Sequence, residues 1–225
     1  MRELIKKIRQ FTGLSQTEMA NKVGVRFATI NRWENGHSSP TRLAQEKLYE
    51  LCENYSVPVY DMIIEKIKSE VNAITIEKGR ILLYHGSKKG LVGDIAPISR
   101  EKCDFGKGFY MAVTKSQAIG MMHKKYREAI LRRPNAPKDR FSEILYEIKI
   151  DIEYVQTLNI KYFKTADEEW LDFVSENRSG TYKGKQYDLI FGPVANDDVY
   201  TTFTLYTSGV LTKEQTIEAL KIKKL

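Results

Sequence analysis

The strongest constraint on the fold is a pair of short helices separated by one glycine near the amino terminus. The pair occupies residues 13–36, which read GLSQTEMANKVGVRFATINRWENG. Ser15 and Glu18 have the spacing of a capping box, in which Ser15 accepts from the new helix and Glu18 reaches back to its start. Gly24 permits a tight turn, because glycine readily adopts the left-handed conformation. This segment therefore predicts a compact all-α unit.

Further helices are predicted on both sides of the pair, because apolar side chains recur there at helical spacing. Helices are predicted at residues 1–11, 16–23, 26–35, about 41–55 and 59–71. The pattern breaks at Pro58, since proline can open a helix but cannot continue one. We therefore place an all-α domain at residues 1–57 and a connecting helix and linker at 58–79.

The segment at 13–36 resembles the Cro/repressor (Xre-type) family of helix-turn-helix proteins, and the likeness covers nearly all of residues 1–57. It implies a DNA-binding transcriptional regulator that places its second motif helix in the major groove, usually as a homodimer on paired half-sites. By position, the resemblance implies DNA contacts from six residues: Gln16, Arg26, Phe27, Ala28, Asn31 and Arg32. Gln16 would contact a phosphate, and Arg32 a guanine, whose O6 and N7 accept both arms of a guanidinium. The alternative is a helical bundle that makes only protein contacts.

Two positions depart from the family pattern. Arg26 stands where a small N-cap residue is common, and Phe27 replaces a polar residue that would read a base. Phe27 would contact a thymine methyl or simply pack against the protein, and both interpretations remain open.

Charge and composition fit a nucleic-acid partner without requiring one. The net charge is +7, of which +3 lies in residues 1–57. A basic balance in both halves suits a polyanion, although a solvated surface explains it equally well. No apolar run approaches the ~20 residues of a membrane span. Cys52 and Cys103 lack CxxC partners, so we expect a reduced, cytoplasmic protein with no metal site.

From Arg80 onward, short apolar runs alternate with helices, which predicts an α+β domain at residues 80–225. Strands are predicted at 81–84, 108–113, 143–151 and 187–191. Helices are predicted at 116–132, which is basic, around Trp170, and after Thr212. The segment at 199–207 has the β-branched and aromatic content of a strand, but the Gly209 stop and the cap at Thr212 favour a helix.

Two segments of this domain have the composition of a ligand site. His85, Gly86 and Ser87 end the first strand, and Gly108 and Tyr110 close a glycine-containing loop. Imidazole and hydroxyl groups beside an unhindered backbone suit a ribose and a carboxamide, and a tyrosine after glycines can stack on a flat ring. A structural histidine and a packed tyrosine in a β-turn fit the same residues.

Together, YHGSKKGLVGDIAP and DFGKGFYMAVTKSQA resemble the NAD-binding core of ADP-ribosyltransferases of the diphtheria-toxin and poly-ADP-ribose polymerase class. The likeness is greatest to a bacterial domain family of unknown function in that lineage, and it spans about residues 80–225. It implies NAD as cofactor, with His85 at the nicotinamide ribose, Gly86 pairing its backbone with the carboxamide, and Ser87 assisting. Tyr110 would stack on the nicotinamide ring, and Gly108 would let the ligand approach. Catalysis would then rest on orientation and on stabilising positive charge at the ribose.

The family also places a Glu, or a Gln in bacterial relatives, on a late strand. Here Glu214, Gln215 and Glu218 lie on a predicted helix instead, so no third catalytic group is found before Leu225. Three functions follow for the second domain. It is an ADP-ribosyltransferase from a toxin–antitoxin or phage-defence locus, a sensor of NAD or ADP-ribose, or an antitoxin-like module that binds a cognate toxin or antitoxin.

Overall fold

The computed structural model describes residues 2–88, 90–93, 99, 101–135, 142–194 and 197–222. In chain order the elements are α1 (Arg2–Thr12), α2 (Gln16–Val23), α3 (Phe27–Glu34), α4 (Arg42–Asn54), α5 (Val59–Glu70), β1 (Thr75–Glu77), β2 (Arg80–Ser87), α6 (Lys115–Arg132), β3 (Ile144–Asp151), α7 (Ile152–Val155), β4 (Ile160–Tyr162), α8 (Glu168–Ser179), β5 (Leu189–Phe191), α9 (Asp197–Thr207) and α10 (Lys213–Ile222). They form two compact units. The amino-terminal unit contains residues 1–67 and 152–157, and the carboxy-terminal unit contains residues 68–151 and 158–225.

The motif helices of the amino-terminal unit begin and end where their local chemistry dictates. The Glu18 amide donates to the Ser15 hydroxyl over 3.2 Å, and the Ser15 amide donates to the Glu18 carboxylate over 2.8 Å, which confirms the predicted capping box. Gly24 ends α2 in the left-handed conformation, with φ of 75°. Helix α3 is one residue shorter at each end than predicted, because Arg26 is its N-cap and Asn35 its C-cap.

Apolar side chains from α1 to α5 fill the core of the amino-terminal unit. The largest of the fully buried ones are Ile5, Ile8, Met19, Ile30, Cys52 and Ile67. The short helix α7 adds two more buried side chains, Ile152 and Val155. On the same helix, Glu153 accepts a hydrogen bond from the Tyr60 hydroxyl of α5 over 3.4 Å. This unit therefore combines two stretches of chain that are far apart in sequence.

Strand β2 is the centre of an antiparallel sheet with the order β1–β2–β3. Its full length pairs with β3, in a register that sets His85 opposite Tyr146 and Ser87 opposite Ile144. The predicted strand at residues 108–113 is wrong. Only Ala112 reaches β2, where it exchanges two backbone hydrogen bonds with Tyr84 (2.8 and 2.7 Å). The residues from Gly108 to Met111 form no ladder with β2, and the loop is held instead by bonds such as that from the Gly108 amide to the Ser99 hydroxyl (2.8 Å).

The carboxy-terminal unit has a second core around α8, beside a two-stranded parallel sheet of β4 and β5. Its buried members are Phe163, Trp170, Leu171, Phe173, Val174, Phe203 and Leu220. The segment at 199–207 is helical, within α9, as predicted. The three-residue strands β1 and β4 were not predicted, because runs this short have no clear period. The whole chain thus has a helical first part and a mixed α/β second part.

Candidate functional site

The residues predicted to contact DNA lie on or beside one surface of α3. We call the side chains of Arg26, Phe27, Ala28, Asn31 and Arg32 the recognition face. Arg26, Ala28 and Arg32 are exposed, Phe27 is 51% exposed, and Asn31 is half-buried. The face thus offers two guanidinium groups, an amide and an aromatic ring to solvent, all within two turns of helix.

A buried carboxylate connects this face to the rest of the bundle. Glu34 is 2% exposed, and it accepts hydrogen bonds from Arg9 (2.6 and 3.2 Å) and from the Gln16 amide (2.7 Å). Asn31 in turn donates to the Gln16 side chain over 3.4 Å. Burial by itself raises the pKa of Glu34, but the hydrogen bonds from Arg9 and Gln16 outweigh it, and the pKa is lowered from its usual 4.5. Gln16 is therefore held in place beside the recognition face.

In the stretch of sequence that contains the recognition face, basic side chains outnumber acidic ones. Between Glu18 and Glu46 the sequence contains one acidic residue, Glu34, whose charge is balanced by Arg9. The same stretch contains Lys22, Arg26, Arg32 and Arg42. A cationic surface of this kind attracts the phosphates of a duplex and releases their counterions on binding.

In the carboxy-terminal unit, the structure brings together the two segments that were singled out by composition. The Nδ1 atom of His85 lies 2.8 Å from the carbonyl oxygen of Tyr110, so this nitrogen donates its proton to that oxygen. The imidazole also packs on the Phe109 ring, with centroids 4.5 Å apart. His85 and Ser87 are half-buried, so both are within reach of a ligand.

Tyr110 is anchored by its own loop. Its hydroxyl donates to the Gly106 carbonyl over 2.8 Å and accepts the Phe105 amide over 3.0 Å. Its ring lies parallel to that of Phe105 at 6.4 Å, and burial raises the pKa of its hydroxyl above the usual range. The hydroxyl is thus a structural group, and the Tyr110 side chain as a whole is half-buried.

Gly86 has a packing role that its place in the motif did not reveal. A β-carbon there would lie 2.6 Å from the Met122 Cβ and 2.7 Å from the Ala118 carbonyl oxygen, both on α6. Helix α6 therefore lies directly on the backbone of β2 beside His85. Gly108 has room around it, since its nearest neighbour would be the Tyr110 ring at 3.9 Å.

Tyr146 is a candidate site residue that the sequence analysis missed. It lies directly opposite His85 on β3, and opposed residues of an antiparallel pair share a face of the sheet. Its hydroxyl accepts the Leu91 amide over 2.9 Å, so it supports the loop that follows β2. The alternation of Ile144, Tyr146 and Ile148 contained this signal, because every second residue of a strand faces the same way.

A buried ion pair, also missed, fixes the glycine loop to α8. Asp104 is 5% exposed and accepts from Arg178 over 2.5 and 2.7 Å. Beside it, Gly106 has φ of 76°, and a β-carbon there would lie 2.8 Å from Asn177 Oδ1. The loop that contains Tyr110 is therefore positioned by two adjacent residues of α8. Their separation of more than 70 positions from the loop hides this relation in the sequence.

The remaining candidate groups do not join this site. Glu214, Gln215 and Glu218 lie on α10, where the Gln215 side chain accepts the Thr212 amide over 2.9 Å and so closes a capping box. Cys52 and Cys103 are free thiols. In the described parts of the chain, no group of three or more His, Cys, Asp or Glu side chains is placed to hold a metal ion. Nor does any helix of those parts have the length and apolarity to span a membrane.

Each of the two parts of the chain matches a known protein family. Residues 81–225 match the family described as "Protein of unknown function (DUF3990)". The chain belongs to this family. Residues 5–61 of the DUF3990 protein match a helix-turn-helix family, which supports a DNA-binding regulator. No curated protein and no solved structure matches the chain. The description of the DUF3990 family includes no activity, so NAD binding and ADP-ribosyl transfer stay predictions.

Proposed function

We propose that this protein is a sequence-specific transcriptional regulator that reads duplex DNA through the recognition face. The observation that carries the proposal is the exposed, acid-free surface of α3, with Arg26 and Arg32 at its two ends. Arg32 pairs with a guanine in this proposal, and Gln16, held by Glu34, lies beside the phosphates. The protein binds two half-sites as a homodimer, the arrangement typical of this motif.

The test is a selection of bound sequences from a randomised duplex pool, followed by titration of the enriched duplex at ~150 mM salt. We expect an enriched motif with two related half-sites, and a mass in the complex that corresponds to two chains. Arg32→Ala should weaken binding by about 5-fold or more, since a bidentate guanine contact contributes ~1–3 kcal/mol. Arg42→Ala is the matched control, because the Arg42 side chain on α4 is 94% exposed, and it should affect all sequences alike. Equal affinity for enriched and random duplexes would exclude operator recognition.

For the carboxy-terminal domain, we propose that NAD binds beside His85 and that the domain transfers ADP-ribose from it. Support comes from the contact between His85 and the Tyr110 backbone, which sets the two motif segments of the resemblance side by side. In this proposal His85 and Ser87 contact the nicotinamide ribose, the Gly86 backbone meets the carboxamide, and Tyr110 lies against the ring. A toxin–antitoxin or phage-defence locus, with a cognate partner protein, is the setting that the resemblance implies.

The first test is calorimetric titration of the full chain with NAD, followed by incubation with labelled NAD and candidate acceptors. We expect binding below millimolar Kd, release of free nicotinamide, and loss of both in His85→Ala. His123→Ala is the matched control, because this histidine is exposed and pairs with Glu143 (2.5 Å) outside the motif. Absence of binding in the folded wild-type chain would overturn the proposal.

A second candidate function is a non-catalytic sensor of NAD or ADP-ribose. It is favoured by the position of Glu214, Gln215 and Glu218 on α10, where Gln215 serves as a cap. The two functions differ in turnover. A sensor binds NAD without releasing nicotinamide, and its affinity for the enriched duplex changes when NAD is added. A transferase releases nicotinamide whether or not DNA is present.

A further inference from the structure

Phe27 is an aromatic side chain that folding leaves half exposed at the start of α3. The residue before it, Arg26, is the N-cap but makes no capping hydrogen bond, whereas Ser15 and Thr41 cap α2 and α4 with their side chains. Ser, Thr, Asp or Asn at this position would stabilise the helix. Two successive side chains at the start of α3 are thus exposed, and Arg26 does not cap the helix with its side chain.

The surroundings of Phe27 indicate what kind of partner covers it. The exposed cations Arg26 and Arg32 flank it along α3, and the one carboxylate of this stretch, Glu34, is buried against Arg9. A protein or lipid partner would cover an apolar patch, but Phe27 is a single aromatic residue beside Ala28 within a cationic surface. This combination complements a polyanion that carries a small apolar group in a groove.

In the major groove of DNA, that group is the 5-methyl of thymine. The other groups exposed on base edges there are hydrogen-bond donors and acceptors. A phenyl ring has neither, so apolar contact with the methyl is the feature of a base edge that it can read. We propose that Phe27 recognises the 5-methyl group of one thymine in each half-site. This inference rests on the proposed DNA binding by α3 and adds a base identity to it.

The test replaces thymines of the enriched duplex by deoxyuridine, one position at a time. This substitution removes the methyl group and keeps every hydrogen bond of the base pair. For the wild-type protein, we expect one position per half-site at which the affinity falls about fourfold, the effect of exposing one methyl-sized apolar group. The Phe27→Ala protein should bind the thymine duplex more weakly than the wild type does. It should also bind the thymine and deoxyuridine duplexes with equal affinity.

Phe11→Ala is the matched control, because Phe11 on α1 is 53% exposed and loses the same atoms. It should retain the fourfold preference for the methylated base. Thermal unfolding of both variants verifies that each is folded, which is expected since both side chains are exposed. If no duplex sequence is enriched, the proposed operator recognition fails. If a sequence is enriched but Phe27→Ala discriminates thymine from deoxyuridine as the wild type does, the inference about Phe27 alone fails.

Discussion

Glu34 determines how the side chains of the recognition face are held. Its carboxylate is buried on α3 and is bound by Arg9 of α1 and Gln16 of α2, so a single acidic group connects three helices. A buried charge is costly to leave without its partner, because the protein interior solvates it poorly. The position of Gln16, and through it that of Asn31, therefore depends on Arg9, which lies outside the helix-turn-helix itself.

We expect Arg9→Ala to lower the free energy of unfolding by about 3 kcal/mol, since it leaves Glu34 buried with only a neutral partner. The matched control is Arg42→Ala, which removes an exposed pair with Glu46 on α4. Exposed pairs of this spacing contribute only about 0.3–0.5 kcal/mol. Urea unfolding at pH 7 measures both variants. Equal losses of unfolding free energy in the two variants would show that the Arg9–Glu34 pair contributes no more than an exposed pair does.

The lowered pKa of Glu34 also predicts how stability depends on pH. Because the folded state lowers this pKa below its usual 4.5, the stabilisation is fully present above pH 4.5 and is lost as the pH falls through the folded value. The difference in unfolding free energy between wild type and Glu34→Gln should therefore shrink below pH 4.5. Other carboxylates titrate alike in both proteins, so the difference isolates Glu34. A difference that stays constant from pH 7 to pH 3 would contradict the assignment.

Among the elements, helix α6 and strand β2 show what local sequence reveals and what it conceals. The helix was predicted from its composition, and its cap at Thr114 is visible in the structure. Its contact with the backbone of β2 at Gly86 could not be predicted, because it joins residues more than 30 positions apart. A glycine within a ligand-like motif has two explanations, close approach of a ligand or close approach of protein, and spacing does not separate them.

Gly86→Ala should lower the free energy of unfolding of the carboxy-terminal unit by about 1–3 kcal/mol, because its β-carbon would overlap Met122 and Ala118 of α6. Gly120→Ala is the control on the same helix, where a β-carbon meets no atom within 4 Å. That variant should gain up to about 1 kcal/mol from the higher helix propensity of alanine. Denaturant unfolding of both variants tests the contrast, and an unchanged stability in Gly86→Ala would contradict the close packing.

The elements that the sequence predicted correctly are those determined by local signals. Helices α2 and α3 were predicted to within one residue, since Ser15, Gly24 and the apolar periodicity are local signals. The strand predicted at residues 108–113 is wrong because Tyr110 bonds its own loop and the His85 ring instead of forming a backbone ladder. The juxtaposition of His85 with the glycine loop was implied by resemblance. Alternation along β3 indicated the face of Tyr146, but its place opposite His85 depends on the strand register, and the Asp104–Arg178 pair joins segments that only the fold brings together.

At the scale of the molecule, the two compact units do not coincide with two continuous stretches of sequence. Residues 152–157 belong with the amino-terminal unit, although they follow β3 of the carboxy-terminal one. They contribute the buried side chains Ile152 and Val155. Composition and periodicity predicted a boundary near Pro58, and they contain no signal that a later turn of helix completes the first core.

Ile152→Ala should therefore destabilise the amino-terminal unit by about 2–4 kcal/mol, through loss of a buried aliphatic side chain. Tyr154→Ala, on the same short helix, removes a side chain that is 61% exposed and should change stability little. Hydrogen exchange read by mass spectrometry distinguishes the units, and we expect faster exchange in residues 2–67 of Ile152→Ala. Unchanged protection in those residues would show that α7 is not part of their cooperative core.

The amino-terminal unit is built from two separate stretches of chain, and this limits how its gene can be rearranged. A recombination event that moved residues 1–67 alone into another protein would leave Ile152 and Val155 behind. The apolar surface that these two side chains cover would then be exposed to water. Transfer of the amino-terminal unit to another protein would therefore have to include residues 152–157 to keep these two buried side chains.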